Sequence, residues 1–170
     1  MHTTYTLQHA CDWMHAPAIT LNLNAPVSAA LALMRKHNLQ HLPIVLDTGE
    51  LCGMITQGDI RGAEMLQAAG LDPLEIADAL KRLKVYEVIG ERLIAATPAT
   101  SLREAALLML ENKIGGLPVV DSSGDVVGII TESDILRAFV AMPSALPAQG
   151  LGVGVRDQAC GCCNPRAHAQ

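Results

Sequence analysis

The chain repeats itself. Displaced by 75 positions, residues Asp12 to Arg61 fall onto a second copy without a single insertion or deletion. Ile19 meets Ile94, and Ala30, Leu33 and Met34 meet Ala105, Leu108 and Met109. Leu42-Pro43 meets Leu117-Pro118, Gly53 meets Gly128, Ile55-Thr56 meets Ile130-Thr131, and Asp59-Ile60 meets Asp134-Ile135. A gapless repeat of this length fixes the architecture before any single element does, because the same supersecondary unit must be built twice.

The content of the unit follows from its periodicity. Val27, Ala30, Leu31 and Met34 recur at helical spacing, as do Leu102, Ala105, Ala106 and Met109, giving each helix one apolar stripe. Two β-rich runs follow, "LPIVL" and "LCGMIT" around "DTGE", then "LPVV" and "VVGIIT" around "DSSGD". Short apolar runs flanking an Asp/Gly turn read as a hairpin. A second helix starts near Asp59 and Asp134, and "AITL" and "RLIAA" each offer a short edge strand ahead of the first helix. The expected fold is α/β, two β-α-β-β-α repeats packed as a pseudo-symmetric pair. The first repeat with its N-terminal segment takes residues 1–69, a helical linker 70–84, and the second repeat 85–141. In the linker, Gly70 ends one helix, and Asp72-Pro73-Leu74-Glu75 supplies an N-cap, a proline at N1 and an acid at N3. Residues 142–170, rich in Pro, Gly and Ala, read as an irregular tail.

Composition narrows the function. A chain of 170 residues can bury roughly 70% of its unfolded surface and needs no staples. Half of its residues are hydrophobic, yet it has one Trp, one Phe and two Tyr, so the core is aliphatic and aromatic platforms for nucleic-acid bases are nearly absent. The formal charge of −5 argues against nonspecific binding to nucleic acid or to an acidic membrane. "MHTTYTLQHACDWMH" has neither the basic nor the apolar region of a signal peptide, and no apolar run is long enough to span a bilayer. Five cysteines give no disulfide framework. The expectation is a cytoplasmic protein, with no nucleic-acid or membrane partner. No catalytic motif is found, so no enzymatic activity is expected.

The repeated junction "GMITQGDI" and "GIITESDI" admits two readings. Thr56 and Thr131 suit helix N-caps, with Asp59 and Asp134 at N3 in a variant capping box, where the carboxylate also meets the positive end of the helix. The same geometry suits a nucleotide. Free N–H groups and a Thr hydroxyl at a helix start favour phosphate, and a nearby carboxylate can accept both hydroxyls of a ribose. Gly53 and Gly128, just upstream, would let a ligand approach the backbone.

The strings "NKIGGLPVVDSSGDVVGIITESDILRAF" and "HNLQHLPIVLDTGELCGMITQGDIRGAE" resemble the cystathionine β-synthase (CBS) domain, and two in tandem resemble a Bateman module. The resemblance spans roughly residues 10–140, carried by the L-P-[IV]-V strand, the G-h-[IV]-T-x-x-D junction, and the segments "DWMHAPAI" and "YEVIGERL". It implies a regulatory module that binds adenosine-containing ligands (AMP, ADP, ATP, S-adenosylmethionine or NAD) in two clefts between the repeats and signals to a separate protein. It also implies a flat homodimer with the helical faces of two pairs packed together. Carried onto this chain, Asp59 and Asp134 would hold ribose hydroxyls, and Thr56 and Thr131 would contact phosphate or ribose. Ile19, Thr20, Ile94 and Ala95 would line the adenine pocket with Leu42, Pro43, Leu117 and Pro118. His41 stands where relatives often place a basic residue toward phosphate, while the second copy has Gly116; Arg61 is matched by Leu136. The two clefts should therefore differ in phosphate affinity.

The alternative is a structural or interaction module whose clefts stay empty and whose Thr and Asp only cap helices. In the tail, Cys160, Cys162 and Cys163 with His168 could form a tetrahedral metal site or a redox switch, although a second ligand pair is missing. The remaining thiols, Cys11 and Cys52, read as core or surface residues.

Overall fold

A computed structural model describes residues 9–67, 72–90 and 93–142. Each repeat supplies a helix, a hairpin and a second helix. In the first these are α2 (Val27–His37), β2 (His41–Val45), β3 (Leu51–Thr56) and α3 (Gln57–Gln67). In the second they are α5 (Leu102–Asn112), β4 (Gly116–Val120), β5 (Val126–Thr131) and α6 (Glu132–Ala141). Helix α1 (Ala10–Trp13) and strand β1 (Leu21–Asn22) precede α2, while α4 (Pro73–Arg82) and a 3-10 turn (Val85–Glu87) lie between the repeats.

The apolar stripes behave as their spacing requires. Val27, Ala30 and Met34 of α2 and Leu102, Ala105 and Met109 of α5 are buried. Both helices end in a left-handed residue, Asn38 (φ 52°) and Lys113 (φ 55°), whose N–H bonds back to the last turn. The linker helix starts as its sequence foretells. Asp72 Oδ1 accepts from the N–H groups of Leu74 and Glu75, at 2.8 and 2.9 Å, and Glu75 accepts from Asp72 N–H at 2.9 Å.

Strands β2 and β3 pair antiparallel, with Leu42 opposite Ile55 and Pro43 opposite Met54; β4 and β5 repeat this with Leu117 opposite Ile130 and Pro118 opposite Ile129. The edge strands are shorter than expected. β1 pairs parallel with β2 over two residues, and in the second repeat, among the described residues, an isolated bridge joins Ala96 to Val119. One residue explains the difference between the copies. Leu23 N–H donates to Val45 O at 2.9 Å and extends the first edge, whereas the residue in register with it, Pro98, has no N–H to donate.

Two aliphatic cores form, and each is closed by a segment that precedes the other repeat. Val27, Leu42, Ile44, Ile55 and Ile60 are sealed by Leu80 and Val85, with Val88 and Ile89 packed against them. Leu102, Met109, Leu117, Val119 and Ile130 are sealed by Ala10, with Trp13 and Met14 packed against them. Buried Leu80 and Val85 each contribute about 1.5–3 kcal/mol to the first core, and Ala10, Trp13 and Met14 pack on the second, so the leaders are integral to the partner core. Backbone bonds fix the crossing: Ala10 N–H to Thr100 O at 2.7 Å, a reciprocal pair between His15 and Ile129 at 2.8 and 3.0 Å, and Val27 N–H to Leu83 O at 2.9 Å.

The crossing also accounts for the two repeated glycines, and corrects their assignment to ligand approach. A Cβ on Gly53 would stand 2.9 Å from Ile89 Cδ1, and one on Gly128 would stand 2.6 Å from Met14 Sδ. These glycines admit the crossed leaders.

Candidate ligand-binding clefts

Because the leaders cross, each one faces the junction of the other repeat, and a cleft opens at each meeting. The first cleft, about 420 Å³, joins Thr56 and Asp59 to Gly90, Leu93 and Ile94 of the second leader and to Lys113 at the end of α5. The second, about 690 Å³, joins Thr131 and Arg137 to His15, Pro17 and Ile19 of the first leader and to the His37–His41 turn. Both sizes suit one small organic ligand.

At each junction the Thr and Asp cap their helix. Asp59 Oδ2 accepts from Thr56 N–H and from Thr56 Oγ1, each at 2.7 Å. Asp134 Oδ2 accepts from Thr131 N–H at 2.9 Å and from Thr131 Oγ1 at 2.7 Å. The two junctions differ at the remaining oxygen. Asp134 Oδ1 accepts from Arg137 NH1 at 2.6 Å and lies 3.1 Å from His15 Nε2. Asp59 Oδ1 has no hydrogen-bond partner among the described residues. In the repeat register, His15 corresponds to Gly90 and Arg137 to Gly62, so the first cleft lacks both groups.

His41 lines both clefts. It pairs with Thr56 at the start of β2, as Gly116 pairs with Thr131 at the start of β4. The imidazole lies over Gly115 and Gly116: a Cβ on Gly116 would stand 3.2 Å from His41 Cγ. Two equivalent positions thus approach so closely that only one carries a side chain. Burial holds the His41 imidazole below the usual histidine range, against the opposing pull of the Glu132 and Asp59 carboxylates.

The residues singled out in the sequence divide accordingly. Thr56, Asp59 and Ile94 line the first cleft, Ile19 and Thr131 the second, and His41 both. Asp134 is fully buried behind His15 and Arg137. Leu42 and Leu117 do not line either cleft; they point into the cores, at 0% exposure. Pro43 and Pro118 sit on the opposite sheet face, opposite Met54 and Ile129, which do line the clefts, but both prolines are buried beneath that surface. Thr20 and Ala95 are half-buried beside Ile19 and Ile94 without lining a cleft, and Gly116 lies under His41. Arg61 faces elsewhere. It borders a groove between α2 and α3 with Arg35 and donates to Gln57 Oε1 at 3.2 Å, because helix α3 turns that position away from Asp59. The clefts differ in their polar side chains, with Lys113 in the first and Arg137 and His15 in the second.

Cys160, Cys162, Cys163 and His168 lie outside the described residues. Among the described residues no cluster of His, Cys, Asp or Glu is arranged to hold a metal ion. Arg137, His15, His37 and Lys113 are cleft residues that sequence reading missed. A signal existed for two of them: Arg137 follows Asp134 by one helical turn, and His37 precedes His41 by four residues. No described helix is long and apolar enough to cross a membrane.

Comparison with known proteins places this architecture. The family model of the CBS domain matches residues 10–65 and 85–141. A CBS domain-containing protein of Dictyostelium discoideum is 30% identical over 139 residues, covering 80% of this chain and 94% of the relative. The L-aspartate semialdehyde sulfurtransferase of Methanocaldococcus jannaschii is 34% identical over 128 residues, covering 75% of this chain but 22% of that protein. Among solved structures, the CBS domain pair of protein MJ0100 in complex with 5′-methylthioadenosine and S-adenosyl-L-methionine superposes with a TM-score of 0.66 at 33% identity, covering 79% of this chain and 97% of that one. With both repeats matched and their crossed leaders in place, the chain belongs to the CBS-domain family as a tandem CBS pair.

Proposed function

We propose that this CBS pair is a non-enzymatic regulatory module that binds an adenosine-containing ligand and passes a conformational change to a separate protein, acting in the cytoplasm. The observation that carries this reading is Asp59. Its carboxylate stands at a helix start in a nucleoside-sized cleft, with Oδ1 unpartnered among the described residues. A ribose diol is the complementary donor pair, Ile94, Leu93 and Met54 offer apolar surface to adenine, and Lys113 offers a cation to a 5′ phosphate. The related pair that is 33% identical holds two adenosine compounds. AMP, ADP, ATP, S-adenosylmethionine and NAD all present this diol. The ligand acts by population shift, stabilising whichever arrangement of the leaders it binds better.

Thermal shift with each of these compounds tests the proposal. A ligand at 100 times its Kd adds about 2.7 kcal/mol of apparent stability. A melting temperature unmoved by all of them at millimolar concentration overturns the sensor reading. It would favour the alternative, a structural or interaction module, for which the complete capping of both junctions without ligand speaks.

The helical face of the second repeat supports a homodimer. Leu110, Leu136, Phe139 and Val140 on α5 and α6 are 73%, 64%, 72% and 81% exposed. In the first repeat the residues matching Leu110 and Leu136 are Arg35 and Arg61. A two-fold contact of second repeat on second repeat covers apolar surface with apolar surface. The antiparallel arrangement would press that surface onto two guanidinium groups, whose desolvation opposes burial. The occupant we assign to this face is a second copy of the chain.

A further inference from the structure

The Asp134 carboxylate is engaged at both oxygens. Thr131 supplies two donors to Oδ2, and Arg137 and His15 converge on Oδ1 at 2.6 and 3.1 Å. The Asp134 side chain is 1% exposed, while those of His15 and Arg137 are each 60% exposed, so these two form the cleft surface where the carboxylate would otherwise be. The other junction has the same Thr–Asp pair on one carboxylate oxygen and leaves the second oxygen open, with glycine at both matching positions.

We propose that His15 and Arg137 act as a built-in competitor that withholds Asp134 from a ribose diol, so that the Asp59 cleft takes the adenosine ligand first and the Asp134 cleft fills only when both side chains are displaced. This rests on the adenosine reading above. A diol can bind bidentately only to a carboxylate with a free oxygen edge. At Asp134 it must replace the charge-assisted Arg137 bond and push aside His15, and charge-assisted bonds are the stronger class of hydrogen bond. Displacement needs only a side-chain rotation, since the His15 backbone is held to Ile129 in both directions. His15 comes from the leader that packs on the second core, so filling the second cleft changes the side-chain contacts of that leader.

Two measurements on the full chain test this. The first needs no ligand. In protein with labelled histidine, the His15 imidazole resonance is expected to move on Asp134→Asn and to stay in place on Asp59→Asn; a His15 signal indifferent to Asp134→Asn overturns the latch. The second is calorimetry with 5′-methylthioadenosine, which carries the diol and no phosphate. One dominant site is expected, lost on Asp59→Asn and kept on Asp134→Asn. His15→Ala should strengthen the weaker site several-fold, since it removes the contact 3.1 Å from Oδ1 and leaves only the Arg137 bond to be displaced. Loss of the dominant site on Asp134→Asn, or a second site unchanged or weakened by His15→Ala, overturns the order of filling. No binding to any variant while the His15 signal still reports Asp134 overturns the adenosine reading and the filling order together, and is distinguished by that signal from failure of the latch.

Discussion

Met14 and Gly128 belong to different repeats, yet a Cβ on Gly128 would sit 2.6 Å from the Met14 sulfur and 3.1 Å from the His15 carbonyl oxygen. The sulfur is the end of a flexible side chain and can yield; the carbonyl is backbone and yields less. Gly128→Ala is therefore expected to cost about 1–3 kcal/mol, the range for overpacking, read as a lower melting temperature. It should also disturb the second cleft, because His15 forms part of its wall.

Asp134→Ala should destabilise the fold more than Asp59→Ala does. Each loses an N-terminal cap, about 1 kcal/mol, but only Asp134 is fully buried and paired with Arg137. Chemical denaturation of the two variants without ligand checks the order. Equal midpoints would mean that the Arg137 pair contributes nothing net, as exposed ion pairs often do.

Leu117→Ala separates core from cleft. Leu117 is completely buried opposite Ile130, and truncation of such a residue costs about 2–5 kcal/mol. Ligand affinity measured well below the melting transition should stay within a factor of about two, since an RT-scale change is the most a remote packing defect is expected to transmit. A large loss of affinity would return Leu117 to the cleft.

His41 makes stability depend on pH. Burial depresses its folded-state pKa below the unfolded value of about 6.5. The unfolded chain then binds the proton more readily. Stability contributed by the neutral imidazole is present above about pH 6.5 and is lost as pH falls from there toward the lowered folded value. His41→Gln should flatten the melting temperature between pH 7 and pH 5 relative to the parent, after allowance for the carboxylates common to both.

If the proposed dimer forms through this face, Phe139→Glu together with Val140→Lys should make the protein monomeric without unfolding it, since both side chains are largely exposed. Sedimentation of parent and variant gives the answer. A monomeric parent would mean that this face serves another protein.

The repeat, the element order and the aliphatic cores were legible because they depend on local periodicity, which one chain displays fully: Val27, Ala30 and Met34 could be placed inside without coordinates. Thr56 and Asp59 were legible for the same reason, as three-residue spacings at a helix start. The pairing of leader with junction was not legible. Sliding one copy over the other sets Ile19 beside Ile94 in register, but places neither against Thr131 or Thr56; that needs the crossing of the leaders. Leu42 and Leu117 were misplaced because a strand alternates faces, and the motif that names a strand does not say which face meets the cleft. His15 escaped notice because its partner lies 119 residues away in sequence.

The crossed leaders set a lower bound on what can be inherited or engineered as a working piece. Cut between residues 70 and 84, the chain yields two fragments that each keep a hairpin and two helices, and neither is self-sufficient. One has given away the strip that seals its interior and kept the strip its sibling needs. The smallest portable part of this protein is therefore the pair.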